Sequence, residues 1–401
     1  MNASVNVAIG KLVAVWRELD SIAIERGREL KAILLAVLTR QHCFLFGVPG
    51  LAKSMVLRMV AERILGARYF EALIGKETTA DELFVSETRF EETEQGPGKK
   101  SVRFINETEG KSAGAHFVLW DEIFKGAGTL LNTGLAFLNE RLFHVNGKAQ
   151  KCPLVSLFAA SNELPDPEDG LAALYDRILF RVQSQPIAER QHRIDFTVAQ
   201  VEKRKRVAMG GEAMPVTATI SLDELATLQR AVAMVEFPYS IHEKLFELFV
   251  KLGEEGQTMF DRRYGRLPLV LQANALLDGR DTVTVLDFVA LEYVLWDDPK
   301  DQATVRKVLL EFANPLENEA LRCADAVADA VKNALAATDG PAKSRAGTEA
   351  SSKLKSALAE LNRLKTEATA QALPTVRIEE LTTKLKTHQK QVLKQCFGID
   401  A

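Results

Sequence analysis

The chain contains 401 residues, of which 47% are hydrophobic and 26% are charged, a composition typical of a globular protein with about two or three domains. Its net charge of −3 argues against general nucleic-acid binding, which leaves a strongly basic footprint. There is no apolar run of membrane-spanning length, and the first ten residues lack the features of a signal peptide. The four cysteines are scattered singly, without metal-site spacing. We therefore expect a cytoplasmic protein with reduced thiols and no membrane insertion.

A glycine-containing loop follows the first strand pattern, Cys43–Phe46, and precedes a helical pattern. The loop residues are Gly47, Val48, Pro49, Gly50, Leu51, Ala52, Lys53 and Ser54. Backbone N–H groups of such a loop at a helix N-terminus bind phosphate oxygens, so the pattern predicts a nucleoside triphosphate site. Lys53 would reach the outer phosphates, and Ser54 would be a ligand of Mg²⁺. Ala52 stands where the strict motif has glycine, and a chance glycine-lysine-serine turn is the alternative.

Two polar segments have the pattern of β-hairpins. The first lies between Thr78 and Asn106 and contains the turn signal Gly96-Pro97-Gly98 between strand-like stretches. The second runs from Leu142 to Lys148, where Asn146-Gly147 favours a two-residue turn. Both are therefore expected to be hairpins.

An apolar strand pattern beginning at Phe117 ends in two adjacent acids, Asp121 and Glu122. The phosphate-binding loop lies upstream at a distance that allows both motifs on one parallel sheet. Asp121 would then hold Mg²⁺ through water. Glu122 would orient and deprotonate the water that attacks the terminal phosphorus. A solvated strand end followed by a turn is the alternative.

A third strand pattern, residues 154–160, is followed by Ser161-Asn162-Glu163-Leu164-Pro165. Asn162 would lie, like Asp121, at the carboxyl edge of the sheet, where ligands of doubly wound folds bind. Its amide could hydrogen-bond the attacking water or the terminal phosphate. An Asn near a Pro is by itself more often a turn residue, so this assignment depends on the other two motifs.

The remaining chain shows helical spacing. We predict an α/β core with a parallel sheet over residues 1–188, an all-helical lid over 189–315, and a helical tail over 316–401. Narrow apolar seams on charged helices indicate that the tail is a helical hairpin or a three-helix bundle, with a break at Gly340–Arg345. The basic stretch 203–206 is interpreted as a solvated helix end or an inter-subunit contact.

With the three motifs in this order, the chain resembles an AAA+ P-loop ATPase. The sequences of these motifs are similar to those of the MoxR group, in particular its RavA-like branch. The similarity fades after about residue 315. It is carried by residues 47–54, Trp120-Asp121-Glu122-Ile123-Phe124-Lys125, Leu131-Asn132-Thr133, Leu138-Asn139-Glu140-Arg141, Ala160-Ser161-Asn162-Glu163-Leu164-Pro165 and Ala173-Leu174-Tyr175-Asp176-Arg177.

The resemblance implies a homo-oligomeric ring, commonly a hexamer, with ATP between subunits. Arg177 matches the arginine that one subunit supplies to its neighbour's ATP, and Arg181, expected on the same helical face, is the alternative. Such a guanidinium neutralises charge that develops on the transferred phosphoryl group and can be worth ~10³ in rate. Arg262 resembles the lid arginine that contacts the terminal phosphate, with Arg263 as its alternative. Residues 25–29 resemble the segment that packs near the adenine base.

The resemblance therefore predicts Mg²⁺-dependent ATP hydrolysis that drives remodelling or maturation of a protein client. In the family the two hairpins project toward the pore or one face, which makes them candidates for the elements that push on the client. Family members typically work with a partner that carries a von Willebrand factor A (vWA) domain. Two alternatives stay open: a nucleic-acid-directed NTPase motor, which DNA-stimulated hydrolysis would favour, and an ATP-gated assembly scaffold, in which hydrolysis only resets the ring.

Overall fold

The computed structural model describes residues 3–94, 100–126, 128–145, 148–165, 172–211, 216–337, 340–371 and 373–398. The strands are β1 Cys43–Phe46, β2 Ile64–Leu65, β3 Tyr69–Leu73, β4 Glu87–Glu94, β5 Lys100–Glu107, β6 Phe117–Asp121, β7 Leu142–Val145, β8 Lys148–Lys151, β9 Ser156–Ser161, β10 Phe180–Gln183 and β11 Ile220–Ser221. The α-helices are α1 Ala3–Ile22, α2 Gly27–Thr39, α3 Lys53–Glu62, α4 Ala80–Phe84, α5 Gly128–Glu140, α6 Ala172–Arg177, α7 Arg190–Ala208, α8 Leu222–Val232, α9 Tyr239–Glu254, α10 Asp261–Tyr264, α11 Leu267–Leu277, α12 Gln302–Ala313, α13 Pro315–Ala336, α14 Gly340–Ala370 and α15 Val376–Phe397.

The chain divides into two units, each with its own hydrophobic cluster. Unit 1 consists of Met1–Tyr239, Met259–Val283 and Tyr293–Pro299, and unit 2 of Ser240–Thr258, Thr284–Glu292 and Lys300–Ala401. The boundaries after residues 188 and 315 stay predictions.

Unit 1 is built on a five-stranded parallel sheet in the order β10-β1-β9-β6-β3. In this register Cys43 pairs with Phe158 on one side and with Phe180 on the other. The inner strands β1, β6 and β9 are almost entirely buried and apolar, as expected when helices cover both faces of a parallel sheet. The strand pattern predicted from the sequence is confirmed, and the carboxyl ends of these strands meet at one edge.

An aromatic cluster fills the core on one face of this sheet. Phe84 of α4 stacks on Phe143 of β7 with ring centroids 5.0 Å apart, and meets Trp120 and Phe137 edge-on. A capping box fixes the start of α4, because Thr79 and Glu82 satisfy each other's backbone N–H groups. Packing of these rings connects α4, α5 and β7 to the strand that ends in the acidic pair.

A buried ion pair ties α1 to the rest of unit 1. The Glu18 carboxylate accepts hydrogen bonds from Arg63 at 2.6 and 2.9 Å and from the backbone N–H of Ala218 at 2.7 Å. Arg63 is completely buried. The adjoining strand β11 pairs in parallel with β2, so the region predicted to be all-helical contains one two-residue strand. The N–H of Ile220 in β11 donates to the carbonyl oxygen of Arg63 at the end of α3, a long-range contact that a helical pattern in the sequence does not reveal.

Both predicted hairpins are present. β4 pairs with β5, and β7 pairs with β8, each in antiparallel register. Their predicted turn residues, 95–99 and 146–147, lie outside the described part of the chain.

The C-terminal helices α13, α14 and α15 pack against one another in unit 2 as a three-helix bundle. The predicted apolar seams form its core, in which Leu354, Leu361 and Val392 are fully buried. The predicted separation of the first two tail helices is present, but its position is wrong: α13 ends at Ala336 and α14 already begins at Gly340. Pro341 in the first turn lacks only an N–H group that has no partner within the helix at that position, so proline starts this helix rather than ending it.

Among the described residues, no helix combines the length and apolarity needed to cross a bilayer. The same part of the chain contains no group of three or more His, Cys, Asp or Glu side chains that could hold a metal ion. All four cysteines are free thiols.

His42 is a buried structural residue. Its Nδ1 accepts a hydrogen bond from the backbone N–H of Leu157, and its Nε2 lies 3.0 Å from the carbonyl oxygen of Leu138. With Nδ1 as acceptor, Nε2 carries the proton and donates to Leu138. Burial lowers the pKa of His42 to about 3, because the charged imidazolium would lose its hydration.

We expect the free energy of unfolding to decrease as the pH falls from about 6.5 to about 3, because unfolded His42 takes up a proton that the folded protein excludes. This group alone would contribute a slope of about 1.4 kcal/mol per pH unit. Urea unfolding of wild type and His42→Gln between pH 7 and pH 4 measures it, and the variant should lose this slope. Exposed His144→Gln is the matched control; equal slopes in wild type and His42→Gln would contradict the prediction.

Candidate active site

The predicted phosphate-binding loop connects β1 to α3. Gly47 has φ of +154°, and a Cβ there would lie 2.9 Å from the carbonyl oxygen of Ser184. Its N–H donates to the carbonyl oxygen of Ser161, at the end of β9. Glycine is therefore required at this position by both its backbone conformation and the close approach of a neighbouring strand.

Ala52 has a left-handed backbone conformation, with φ of 60° and ψ of 24°. This is the position where the sequence departs from the strict motif. A left-handed conformation costs a non-glycine residue roughly 1–2 kcal/mol, and alanine, with only a Cβ, tolerates it better than a β-branched residue would. The loop thus keeps its form without glycine, at the expense of local strain.

The side chains of Lys53, Ser54 and Asp121 come together at the end of the sheet. The Ser54 hydroxyl donates to the Asp121 carboxylate over 3.2 Å. The Lys53 ammonium donates to the carbonyl oxygens of Gly47 and Ser161. Partial burial lowers the pKa of Lys53, while the carboxylates of Asp121 and Glu122 oppose that shift. A cationic donor, a hydroxyl and a carboxylate therefore lie together at this loop.

Glu122 lies directly after β6 in a left-handed conformation, with φ of 54° and ψ of 41°. Its N–H donates to the Asp121 carboxylate at 3.0 Å, and its Oε2 lies 3.3 Å from the Lys125 ammonium. Strained backbone of this kind persists where the surrounding structure holds it, and it concentrates at functional sites. The turn directs successive acids into different surroundings, which a strand pattern in the sequence does not specify.

Asn162 follows the last residue of β9 and is exposed. The preceding residue, Ser161, contacts both Gly47 and Lys53 through its carbonyl oxygen. The structure thus brings the segment that carries Asn162 to the phosphate-binding loop.

The two candidate arginines for the neighbouring subunit lie in different surroundings. Arg177 ends α6; its side chain is 19% exposed and donates to the carbonyl oxygen of Ala173. Arg181 does not lie on the same helical face, because the chain leaves the helix and Arg181 enters strand β10. Its side chain is completely buried, so Arg181 is less accessible to another subunit than Arg177 is.

The paired arginines of α10 also differ. Arg263 is buried and forms two hydrogen bonds with the Asp297 carboxylate, at 2.7 and 3.0 Å. Arg262 is about half exposed and lies 2.6 Å from the carboxylate of Asp176. Arg262 is therefore the more accessible of the two, and it lies beside the residue that precedes Arg177.

A cavity of about 620 Å³ lies beside the loop. Its lining includes Gly50 and Ala52 of the loop, Ile24 and Arg26 before α2, Met55 of α3, Ile187 after β10, and Phe196, Gln200 and Lys203 of α7. The contribution of α7 was missed by the sequence reasoning, because this polar helix buries none of its residues and shows no apolar stripe. The sequence signals only the basic stretch of α7, which includes Lys203.

Glu25 connects the cavity wall to α7. Its carboxylate accepts hydrogen bonds from the backbone N–H groups of Ala188 and Glu189 and lies 2.8 Å from Nδ1 of His192. Although burial opposes the shift, these hydrogen bonds lower the pKa of Glu25. The carboxylate thus caps the start of α7 from a distant part of the chain.

The order of the parallel sheet, the glycine loop after strand β1, and the two acids at the end of strand β6 define an AAA+ P-loop ATPase fold. Residues 10–230 match the family model described as the MoxR domain in the MoxR-vWA-beta-propeller ternary systems, and residues 234–309 match an AAA lid domain. The chain belongs to the MoxR family of AAA+ ATPases. Its assignment to the RavA-like branch stays a prediction.

Similar proteins occur in archaea and an archaeal virus. The uncharacterized proteins MJ0079 and MJ0812 of Methanocaldococcus jannaschii are 34% and 31% identical over 325 and 310 residues. These alignments cover 81% and 77% of this chain, and 80% and 78% of the relatives. The structural protein ORF618 of Acidianus two-tailed virus is 30% identical over 41% of this chain and 26% of its own length.

A solved protein structure from Cytophaga hutchinsonii shares the fold, with a TM-score of 0.58 and 17% identity. The match covers 78% of this chain and 96% of that protein. The predicted fold class, an AAA+ core with a lid and a helical C-terminal region, is confirmed.

The conformation of Ala52 predicts how the loop tolerates substitution. Ala52→Gly should bind a fluorescent ATP analogue within about twofold of wild type, because the glycine backbone adopts this conformation without strain. Ala52→Val should bind at least about tenfold more weakly, because a β-branched residue at positive φ shifts the loop. Ala208→Val, an exposed helical position, is the control. Equal affinity of Ala52→Val and wild type would contradict the loop geometry.

Proposed function

We propose that this protein hydrolyses ATP with Mg²⁺ in a homo-oligomeric ring, commonly a hexamer in the family, and uses hydrolysis to remodel or mature a protein client. The observation that carries the proposal is the 3.2 Å contact between Ser54 and Asp121, next to Lys53 and Glu122. Two oxygen donors and a lysine at a glycine loop are the groups that a metal–triphosphate complex requires.

The loop residues 47–54 would bind the phosphates through backbone N–H groups and the Lys53 ammonium. The Ser54 hydroxyl and the Asp121 carboxylate fit Mg²⁺, which prefers oxygen ligands and would neutralise charge on the phosphates when bound. We assign Glu122 as the base that takes the proton of the attacking water. Asn162 would orient that water through its amide.

In a ring, the arginine of one subunit completes the site of the next. Arg177 suits this role better than Arg181, because its side chain is partly exposed whereas that of Arg181 is completely buried. A guanidinium can bind the charge that develops on a phosphoryl group. Arg262 would contact the terminal phosphate as the lid arginine.

The name of the matching family model supports a partner with a vWA domain, since that model describes MoxR domains of MoxR-vWA-beta-propeller systems. We further propose a cytoplasmic location and a RavA-like relationship. The four free thiols are consistent with a reducing compartment.

The rate of Mg²⁺-dependent ATP hydrolysis per subunit should rise with protein concentration as the ring assembles. Glu122→Gln should bind ATP and assemble while turnover falls by about 10²–10⁴-fold, the usual range for loss of a general base. Arg177→Ala should assemble and hydrolyse ATP ~10³-fold more slowly. Steady-state phosphate release, ATP titration and light scattering in the same buffer provide the measurements.

Matched controls are Glu243→Gln and Arg345→Ala, which change exposed residues on α9 and α14. Both should retain the wild-type rate. A normal rate in Arg177→Ala would refute the role of that arginine in trans. Hydrolysis by a monomer, independent of concentration, would refute the ring, and strong stimulation by DNA would favour a nucleic-acid motor instead.

A further inference from the structure

A cluster of four side chains joins the segment around Arg177 to distant parts of unit 1. We name this group the Asp297 cluster, and it consists of Tyr175, Arg181, Arg263 and Asp297. The Asp297 carboxylate lies 3.1 Å from the Arg181 guanidinium and accepts two hydrogen bonds from Arg263. The Tyr175 hydroxyl donates to the backbone carbonyl oxygen of Asp297 at 2.8 Å.

Arg181 makes several contacts in addition to its ion pair with Asp297. Its guanidinium also donates to the carbonyl oxygens of Trp296 and Tyr175, each at 3.1 Å, and lies 4.2 Å from the centroid of the Tyr175 ring. Arg181 is completely buried, whereas the side chain of Asp297 is half exposed. A buried guanidinium of this kind depends on its carboxylate partner.

The cluster adjoins the helix that carries Arg177, the residue that we assign to the neighbouring ATP site. Tyr175 and Asp176 immediately precede Arg177 on α6, a helix of only six residues. Tyr175 belongs to the cluster, and Asp176 binds Arg262 at 2.6 Å. An isolated helix of this length is unstable in water, so its position depends on these contacts.

We propose that Asp297 is a positioning residue for Arg177, acting through Tyr175, Arg181 and α6. This inference rests on the proposed role of Arg177 in trans. Asp297 and Arg263 lie in the region that matches the lid domain, so they would place the arginine that one subunit presents to its neighbour. A displacement of a positioned group by about 1 Å can reduce a rate by about 10²-fold.

The inference predicts a distinctive pattern of defects for Asp297→Asn. This variant should still assemble and should bind ATP at its own site with wild-type affinity, because the phosphate-binding loop is unchanged. Its turnover should fall by about 10- to 100-fold, since the arginine supplied to the next subunit is misplaced. Tyr175→Phe, which removes only one hydroxyl contact, should show a smaller loss. Asp278→Asn removes a carboxylate that pairs with Arg280 outside the cluster and should behave as wild type.

Mixed rings separate positioning from a general structural role. Glu122→Gln subunits have an inactive site but an intact Arg177, and Asp297→Asn subunits have an intact site but a misplaced Arg177. Each protein alone should turn over slowly, yet an equimolar mixture should recover about a quarter of the wild-type rate, because in head-to-tail rings about a quarter of the interfaces pair an intact site with an intact Arg177. The mixture of Glu122→Gln with Arg177→Ala is the reference and should recover similarly.

The outcomes distinguish the two proposals. If the reference mixture recovers and the Asp297→Asn mixture does not, Asp297 does not position Arg177, and the inference is wrong while the trans arginine stands. If the reference mixture itself fails, the proposed role of Arg177 is wrong. Thermal unfolding of each variant checks that it folds. If Asp297→Asn does not fold, Tyr175→Phe replaces it in the same mixing experiment. Wild-type turnover of Tyr175→Phe alone would then overturn the inference.

Discussion

Parallel pairing of β1 between β9 and β10 is the constraint on which the candidate site depends. It places the start of the phosphate-binding loop against the end of β9, where Gly47 hydrogen-bonds Ser161. β6 pairs with the other edge of β9 and delivers Asp121 within 3.2 Å of Ser54. Because parallel strands share a direction, the residues that follow them gather at one edge. Each proposed catalytic group near the loop follows from this register.

Two non-glycine residues at this edge have left-handed backbone conformations, Ala52 and Glu122. Each sits at a junction where a strand or loop turns sharply into the next element. The strain is tolerated because neighbouring contacts fix the turn, such as the hydrogen bond from the Glu122 N–H to Asp121. As a result, the side chains of Glu122, the proposed base, and Asp121, the proposed metal ligand, have different surroundings although the two residues are adjacent.

Buried arginines connect segments that are distant in sequence. Arg63 binds Glu18 of α1, and Arg181 binds Asp297, with both arginines completely buried. Removing the carboxylate partner of such an arginine would leave a buried guanidinium with less compensation for its charge. Their effect is therefore to fix which segments lie together in unit 1, including the short helix that carries Arg177.

The sequence by itself determined the elements whose signals are local: the strand and glycine loop at 43–54, the acids after β6, the two hairpins and the apolar seams of the C-terminal bundle. Hydrophobic periodicity and turn preferences depend on residues that are close in sequence, so they can be recognised without knowledge of the tertiary structure. Only the tertiary structure determined that Arg181 is buried while Arg177 is partly exposed, and that α7 lines the cavity. Arg181 owes its burial to contacts with residues about 115 positions away, and no local pattern encodes a partner at such a distance.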